Sequence, residues 1–312
     1  MKVVVTGGAG FVGSHVADRL LAEGHEVTVI DNLSTGHLAN LPRGVRFEKR
    51  DIRSPVDVLF REVRPDVLIH AAAQVSVARS CGDPGYDLDV NVRGTINVVT
   101  AAAKAGARKI IFISSAAVYG RPTELPLREG HPSHPLSPYG LSKLAGEYYV
   151  EWLCKMYGTP FTILRPANIY GPRQRCDGEG AVIPAFVSSF LQGMSPTIHG
   201  NGLQTRDFIY VDDVVRAILS AMKRADNMVL NIGTGQSTSI LDLWKLLARL
   251  CDWTQEPLFG PPREGDIPHS ILDSQRAQLV LGWSPTVHLS QGLAETVNWF
   301  RRFRGLSTME QG

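Results

Sequence analysis

Cysteine is scarce, with four in 312 residues at positions 81, 154, 176 and 251, none close enough to another for a metal-ligand or redox pair. That spacing argues against a disulfide scaffold or a thiolate metal centre, and Cys81, Cys154, Cys176 and Cys251 read as reduced, buried thiols of a cytoplasmic protein. An excess of either charge is also lacking. With 32 Lys and Arg against 30 Asp and Glu the formal charge is +2, so there is no broad field to attract nucleic acid or an anionic membrane. No apolar run approaches the ~18 residues needed to cross a bilayer, and the chain opens directly on a strand-like segment, with no signal peptide apparent. No internal repeat or low-complexity tract stands out. What the chain does have is enough length for one large or two medium domains.

Four glycines cluster near the N-terminus. Val3-Val4-Val5 runs into Thr6-Gly7-Gly8-Ala9-Gly10-Phe11-Val12-Gly13, after which Val12, Val16 and Leu20 recur at helical spacing. The segment predicts a buried strand, a glycine turn and a helix whose free N–H groups and positive dipole end face a pyrophosphate. Gly7, Gly10 and Gly13 are spaced G-x-x-G-x-x-G, a departure from the G-x-G-x-x-G fingerprint. Context compensates. Gly24 closes the helix, Glu26–Ile30 reads as the second strand, and Asp31 stands at its end, 18 residues past Gly13. A carboxylate there accepts from both adenosine-ribose hydroxyls and repels a 2′-phosphate, favouring NAD over NADP.

Further along, strand candidates at Val45–Arg50, Val67–His70, Lys109–Ser114 and Thr162–Arg165 alternate with helices near 55–63, 90–105 and 139–157. Such alternation predicts an α/β fold, a doubly wound parallel sheet of Rossmann type with helices on both faces. Asp51-Ile52 follows the third strand at the adenine edge. His70-Ala71-Ala72-Ala73-Gln74 ends the fourth, its small residues letting backbone approach the cofactor, and His70 reads as a satisfied strand-end histidine. Five prolines between Gly120 and Pro138 predict a loop across the sheet's carboxyl edge. Past Arg165-Pro166-Ala167-Asn168 the texture changes to Gly- and Pro-rich loops, then helices such as Leu241–Cys251 and Leu289–Phe300. The division expected is a cofactor domain over 1–168 and a smaller C-terminal substrate domain over 169–312. Strands at Phe208–Val211 and Val229–Ile232 make that domain discontinuous, with segments near 205–232 rejoining the first.

Pro138-Tyr139-Gly140-Leu141-Ser142-Lys143 puts a phenol and an ammonium on one helix face. An unperturbed Tyr has a pKa of about 10, and a fixed cation beside it favours the phenolate. The pair is a candidate for proton transfer.

Several segments together resemble the extended short-chain dehydrogenases that act on nucleotide sugars, most closely the UDP-glucose 4-epimerase family, over nearly the whole chain. They are Thr6–Gly13, Asp31–Gly36, Asn91-Val92-Arg93-Gly94-Thr95, Ser114–Gly120, Tyr139 with Lys143, Arg165 with Asn168–Arg173, Arg206-Asp207-Phe208 and Arg263-Glu264-Gly265-Asp266. The resemblance implies catalysis by Tyr139, Lys143 and Ser115. It implies NAD held by Gly7, Gly10, Phe11, Val12, Gly13, Asp31, Asn32, Leu33, Ser34, Thr35 and Gly36. Asp51, Ile52, Ala71, Ala72, Ala73, Gln74, Asn91 and Ala167 complete that cofactor set, with Ser115, Tyr139 and Lys143 shared. For the UDP-hexose it implies Ser115, Tyr139, Asn168, Val182, Arg206, Arg263, Asp266 and Ser270, the arginines on the diphosphate and Asp266 on the uridine ribose.

The resemblance also separates reactions. The 4,6-dehydratases carry an Asp-Glu pair after the hydroxyl residue and the UDP-glucuronate decarboxylases a Glu at the second position, where this chain has Ala116 and Ala117. Without those groups the implied chemistry is oxidation of carbon 4 and its re-reduction from the other face. Epimerisation of a UDP-uronic acid, another nucleotide-sugar dehydrogenase reaction, and an NAD-binding regulator without turnover stay open as alternatives. Ser270, where a Tyr in the family restricts the hexose pocket, implies room for an N-acetyl sugar. A homodimer is implied through helices matching 92–105 and 140–157, which carry Val98, Val99, Tyr148, Trp152 and Met156.

Overall fold

β-Branched residues dominate the first strand because it is covered on both faces, as a central parallel strand is. In β1 (Lys2–Thr6) Val3, Val4 and Val5 are fully buried. The computed structural model describes residues 1–176, 181–262 and 267–309, with side chains through Arg302. After β1 come α1 (Phe11–Ala22), β2 (Glu26–Asp31), β3 (Arg46–Lys49), α2 (Asp57–Val63), β4 (Val67–His70) and the short helices α3 (Val77–Gly82) and α4 (Pro84–Leu88). A π-helical turn over Asp89–Arg93 feeds α5 (Gly94–Lys104), followed by β5 (Lys109–Ile113), α6 (Pro138–Tyr157) and β6 (Phe161–Pro166). The helix expected from residue 90 therefore starts wider than an α-helix, and the extra residue turns Asn91 inward, where it is buried.

The second half contributes β7 (Asn168–Tyr170), α7 (Val182–Leu191), β8 (Thr197–His199), β9 (Thr205–Arg206), β10 (Phe208–Tyr210), α8 (Val211–Ala221) and β11 (Met228–Ile232). It ends with β12 (Thr238–Ser239), α9 (Ile240–Leu250), β13 (Leu258–Gly260), β14 (His269–Ser270), α10 (Gln275–Leu281) and α11 (Leu289–Met309). Seven strands form one sheet in the order β11-β6-β5-β4-β1-β2-β3, every pair parallel. Of the two late strands expected near this sheet, β11 joins it beside β6, whereas β10 pairs in parallel with β7 outside it. Strand order reverses between β1 and β4, and the crevice beyond the carboxyl ends at that switch is where doubly wound sheets bind ligands.

The two-residue period of β1 divides the core. Val3 and Val5 pack with Val16 and Leu20 of α1 and with α8, while Val4 packs toward Val98, Val99 and Val150 of α5 and α6. Val98 and Val99 thus fill the monomer core and offer nothing to a partner subunit. The thiol expectation also needs correcting, since only Cys154 is fully buried and Cys81 and Cys176 are exposed. No described helix is long and apolar enough to cross a membrane.

Candidate active site

Crowding fixes the glycine turn. Gly7 has φ +69°, and a Cβ there would lie 2.7 Å from the Ala72 backbone; at Gly13 it would lie 2.2 Å from the Gly7 carbonyl oxygen. The turn therefore packs α1 directly against the ends of β1 and β4. No side chain caps α1, which leaves its first N–H groups and its dipole for an anion. Gly7, Gly10, Phe11, Val12 and Gly13 all line a cleft of about 1410 Å³ along the carboxyl edge of the sheet. A glycine cradle at an uncapped helix N-terminus fits the pyrophosphate of a dinucleotide.

Asp31, Asn32, Ser34 and Thr35 line the same cleft, as do Asp51 and Ile52. The Asp31 carboxylate is buried and accepts from Ala9 N at 3.0 Å and Leu33 N at 2.8 Å. Each oxygen keeps a second lone pair for a ribose hydroxyl. Leu33 and Gly36, expected to touch the cofactor, do not line the cleft. Leu33, at φ +59°, folds the loop around Asp31, and Gly36 packs where a Cβ would sit 2.9 Å from that of Ala9. Asp51 accepts from Asn32 Nδ2 and from Arg53, and the Arg53 guanidinium holds its carboxyl well below the usual range.

Ala71, Ala72, Ala73 and Gln74 form the cleft wall after β4. Behind them Asn91 Oδ1 accepts from Gln74 N at 2.8 Å, while Asn91 Nδ2 donates to Gln74 O, Asp87 and Ser142. Asn91 thus supports the wall without lining it. His70 is fully buried, hydrogen-bonded through Nδ1 to Thr6 at 2.6 Å and Nε2 to Thr95 at 2.9 Å. Thr95 donates its own proton to Asn91 O, so it accepts from Nε2, and Nδ1 accepts from Thr6. Burial keeps this imidazole neutral, pushing its pKa down to about 3.

Tyr139, Lys143 and Ser115 all line the same cleft. Ser137 caps α6 by accepting from Gly140 N at 3.1 Å, and Pro138 occupies the first turn, where its missing N–H costs nothing. Tyr139 is one residue further in and largely buried; its backbone N–H donates to Ser80 Oγ at 3.1 Å. Lys143 Nζ donates to the Ile113 carbonyl at 2.7 Å and lies 4.9 Å from the centre of the Phe112 ring. Burial pushes its ammonium down to about 8, against the attraction of Glu147 and Asp87. Ser115 is extended, ahead of a 3₁₀ turn over Ala116–Val118, and its Oγ accepts from Ala117 N at 3.1 Å.

At the other end Ala167, Asn168, Val182, Arg206 and Ser270 line the cleft. Ser270 lies beside Arg206 in the β9–β14 pairing, and Asp207 N donates to the Ser270 carbonyl at 3.0 Å. Arg263 and Asp266 lie outside the described residues.

Several lining or supporting groups receive no site role from the sequence. Arg173 borders the cleft and bonds Ser14 and Asp18 of α1, and Gln204 and His199 border its far end. Glu147 and Arg165 form a buried pair behind Lys143. Glu147 had a signal, standing one helical turn beyond Lys143 on the same face. Ser80 had none, because a contact between α3 and α6 leaves no local pattern.

The sequence profile described as the NAD dependent epimerase/dehydratase family matches residues 3–233. A UDP-glucose 4-epimerase of Mycolicibacterium smegmatis is 43% identical over 309 residues, covering 96% of this chain and 99% of that protein. Among solved structures, the Thermotoga maritima UDP-glucose 4-epimerase with UDP-glucose gives a TM-score of 0.95 at 43% identity, covering 97% of this chain and all of that one. The Thermus thermophilus UDP-glucose 4-epimerase complex with NAD gives 0.91 at 38% identity, covering 96% and 99%. With a profile spanning most of the chain and relatives aligned almost from end to end, this chain belongs to the NAD dependent epimerase/dehydratase family.

Proposed function

We propose that the protein is an NAD-dependent UDP-hexose 4-epimerase that interconverts UDP-glucose and UDP-galactose through a transient 4-keto sugar. One observation favours this reaction within the family. Among the described residues, the only carboxylates lining the cleft are Asp31 and Asp51, both at the adenosine end, while Ala116 and Ala117 follow Ser115 on its wall. Elimination of water or decarboxylation would call for further acid–base groups near the sugar.

NAD, when bound, supplies a reversible hydride acceptor for carbon 4. Tyr139 as phenolate takes the proton of the 4-hydroxyl as the carbon–oxygen double bond forms, and returns it when the hydride comes back to the opposite face. Ser115 hydrogen-bonds the same oxygen. The Lys143 ammonium favours the phenolate and is assigned to a ribose hydroxyl. Asn168 and Arg206 are assigned to the diphosphate, where a guanidinium fork matches phosphate geometry. Val182 borders the substrate side. Arg263 and Asp266 complete that set on sequence grounds.

Ser270 leaves hexose carbon 2 without the wall an aromatic ring would make, so the N-acetyl sugars are assigned as substrates too. Steric exclusion requires bulk, and a hydroxymethyl group has little. Incubation with UDP-glucose, UDP-N-acetylglucosamine and UDP-glucuronate in turn, scored for 4-epimer by chromatography, tests the reading. The first two are expected to react and the third is not. Ser270→Tyr is expected to abolish turnover of the N-acetyl sugar and spare UDP-glucose; equal loss of both would remove Ser270 as the gate.

The subunit is assigned as half of a homodimer. Leu141, Tyr148, Trp152 and Met156 recur along α6 at 59%, 64%, 61% and 52% exposure. Together they make an exposed apolar stripe, the kind of surface that marks an interaction site.

A further inference from the structure

Two charges lie buried behind the cleft wall without lining the cleft, Glu147 of α6 at 4% exposure and Arg165 of β6 at 8%. Arg165 Nε donates to Glu147 Oε1 at 2.9 Å and Nη2 to Oε2 at 2.5 Å. A buried pair of this kind is a weak source of stability, because apolar residues of the same volume often serve as well. What it does provide is a fixed geometry. Ser114 Oγ donates to Glu147 Oε1, the oxygen that also accepts from Arg165 Nε, and Ser114 stands between two residues of the proton-transfer site. On one side is Ile113, whose carbonyl accepts from Lys143 Nζ at 2.7 Å. On the other is Ser115. Glu147 itself is one helical turn beyond Lys143. The Arg165 guanidinium is braced 4.8 Å from the centre of the Tyr119 ring, and Tyr119 OH donates to Asn231 of β11 at 2.6 Å.

We propose that Glu147 is a positioning residue for proton transfer, its carboxylate clamping Ser114 and Arg165 so that the Ile113 carbonyl, Ser115 and Lys143 keep their relative places. The inference rests on the assignment of Tyr139, Lys143 and Ser115 made above. Electrostatics adds to the geometry. Facing Lys143 are Glu147 from its own helix, Asp87 from α4 and His70 from β4, and Tyr139, one helical turn earlier on α6, lines the same cleft. His70 is neutral at working pH and burial opposes the ammonium, so the two carboxylates hold its charge. Asp87 is already engaged by Gln74 and Asn91. Neutralising Glu147 therefore leaves Lys143 less able to keep its proton.

The experiment uses the NAD-loaded enzyme and compares Ser114→Ala, Glu147→Gln and Tyr139→Phe for NAD content, melting temperature, and kcat and KM for UDP-glucose across pH. Ser114→Ala is expected to keep NAD, melting temperature and KM and to lose about tenfold in kcat. Glu147→Gln is expected to lose about 10²-fold in kcat, the scale of a small misplacement of reacting groups. Its alkaline limb moves to lower pH, a shift that general loosening of the fold would not produce. If Glu147→Gln does not fold, the double variant Glu147→Leu/Arg165→Met, which fills the same volume without charge, is expected to show the kcat loss at unchanged KM. Folded variants with wild-type kcat and an unmoved alkaline limb overturn the clamp. Tyr139→Phe separates the two levels. Should it alone be impaired, the proton-transfer assignment stands and the clamp falls; should it keep full turnover, the assignment fails and the clamp with it.

Discussion

Removing the Tyr139 phenol oxygen removes the group proposed to exchange the 4-hydroxyl proton, so Tyr139→Phe is expected to lower turnover by about 10²–10⁴, the usual worth of general acid–base catalysis. Substrate affinity should be spared, which titration with UDP can check; near-full activity would remove Tyr139 as the base. A second residue is exposed to acid. The imidazole of His70 is neutral down to about 3 in the fold, whereas an unfolded chain protonates it at about 6.5. The unfolded state binds more protons between those values, so stability falls as pH drops from about 6.5 toward 3, at up to about 1.4 kcal/mol per unit. Denaturant titrations over that range should give a shallower slope for His70→Gln, and equal slopes would clear His70 of the acid sensitivity. These residues differ in how far sequence alone reveals them. Tyr139 and Lys143 are neighbours on any helix, so their spacing carries the pair. Glu147 shares that spacing, but sequence marks its partner Arg165 only as part of a family motif, and the pairing of the two appears only once α6 packs against β6.

At the scale of elements, α1 depends on a contact that no side chain can share. A Cβ at Gly13 meets the Gly7 carbonyl oxygen at 2.2 Å, so Gly13→Ala must push the helix start away from the turn. Overpacking of this kind costs about 1–3 kcal/mol, and the displaced N–H groups no longer converge on an anion. Purified Gly13→Ala protein is therefore expected to release far less NAD on denaturation than wild type, with Gly130→Ala, where nothing lies within 4 Å, as the control. Comparable NAD in Gly13→Ala and the control would show that α1 tolerates the shift. Hydrophobic periodicity makes most of the sheet legible, since strands covered on both faces are continuous apolar runs. It misses the π-turn before α5, because one added residue barely disturbs a helical pattern. It also runs the strand at 208 one residue too far, as Val211 is apolar both as a strand end and as the first residue of α8. The pairing of β10 with β7 is a long-range choice that neither segment encodes alone.

For the whole molecule, what remains is the apolar stripe that α6 turns to solvent. Val98 and Val99 are consumed by the core, so the proposed interface would be made by Leu141, Tyr148, Trp152 and Met156. Exposures of 52% to 64% for these four show that the monomer's packing does not need them. At about 25 cal/mol per Å² of apolar surface, covering such side chains yields several kcal/mol before association costs. A stable two-fold interface buries about 1,200–2,000 Å² in total, and an antiparallel pairing of α6 with its symmetry mate, flanked by α5, would set each Trp152 against the partner's stripe. Light scattering at micromolar concentration is expected to give twice the monomer mass for wild type. Trp152→Glu places a charge where water must leave, at a position already exposed in the monomer, so it should yield a folded monomer that retains NAD. A wild-type monomer, or a Trp152→Glu protein that stays dimeric, would mean that some other occupant covers this face of α6.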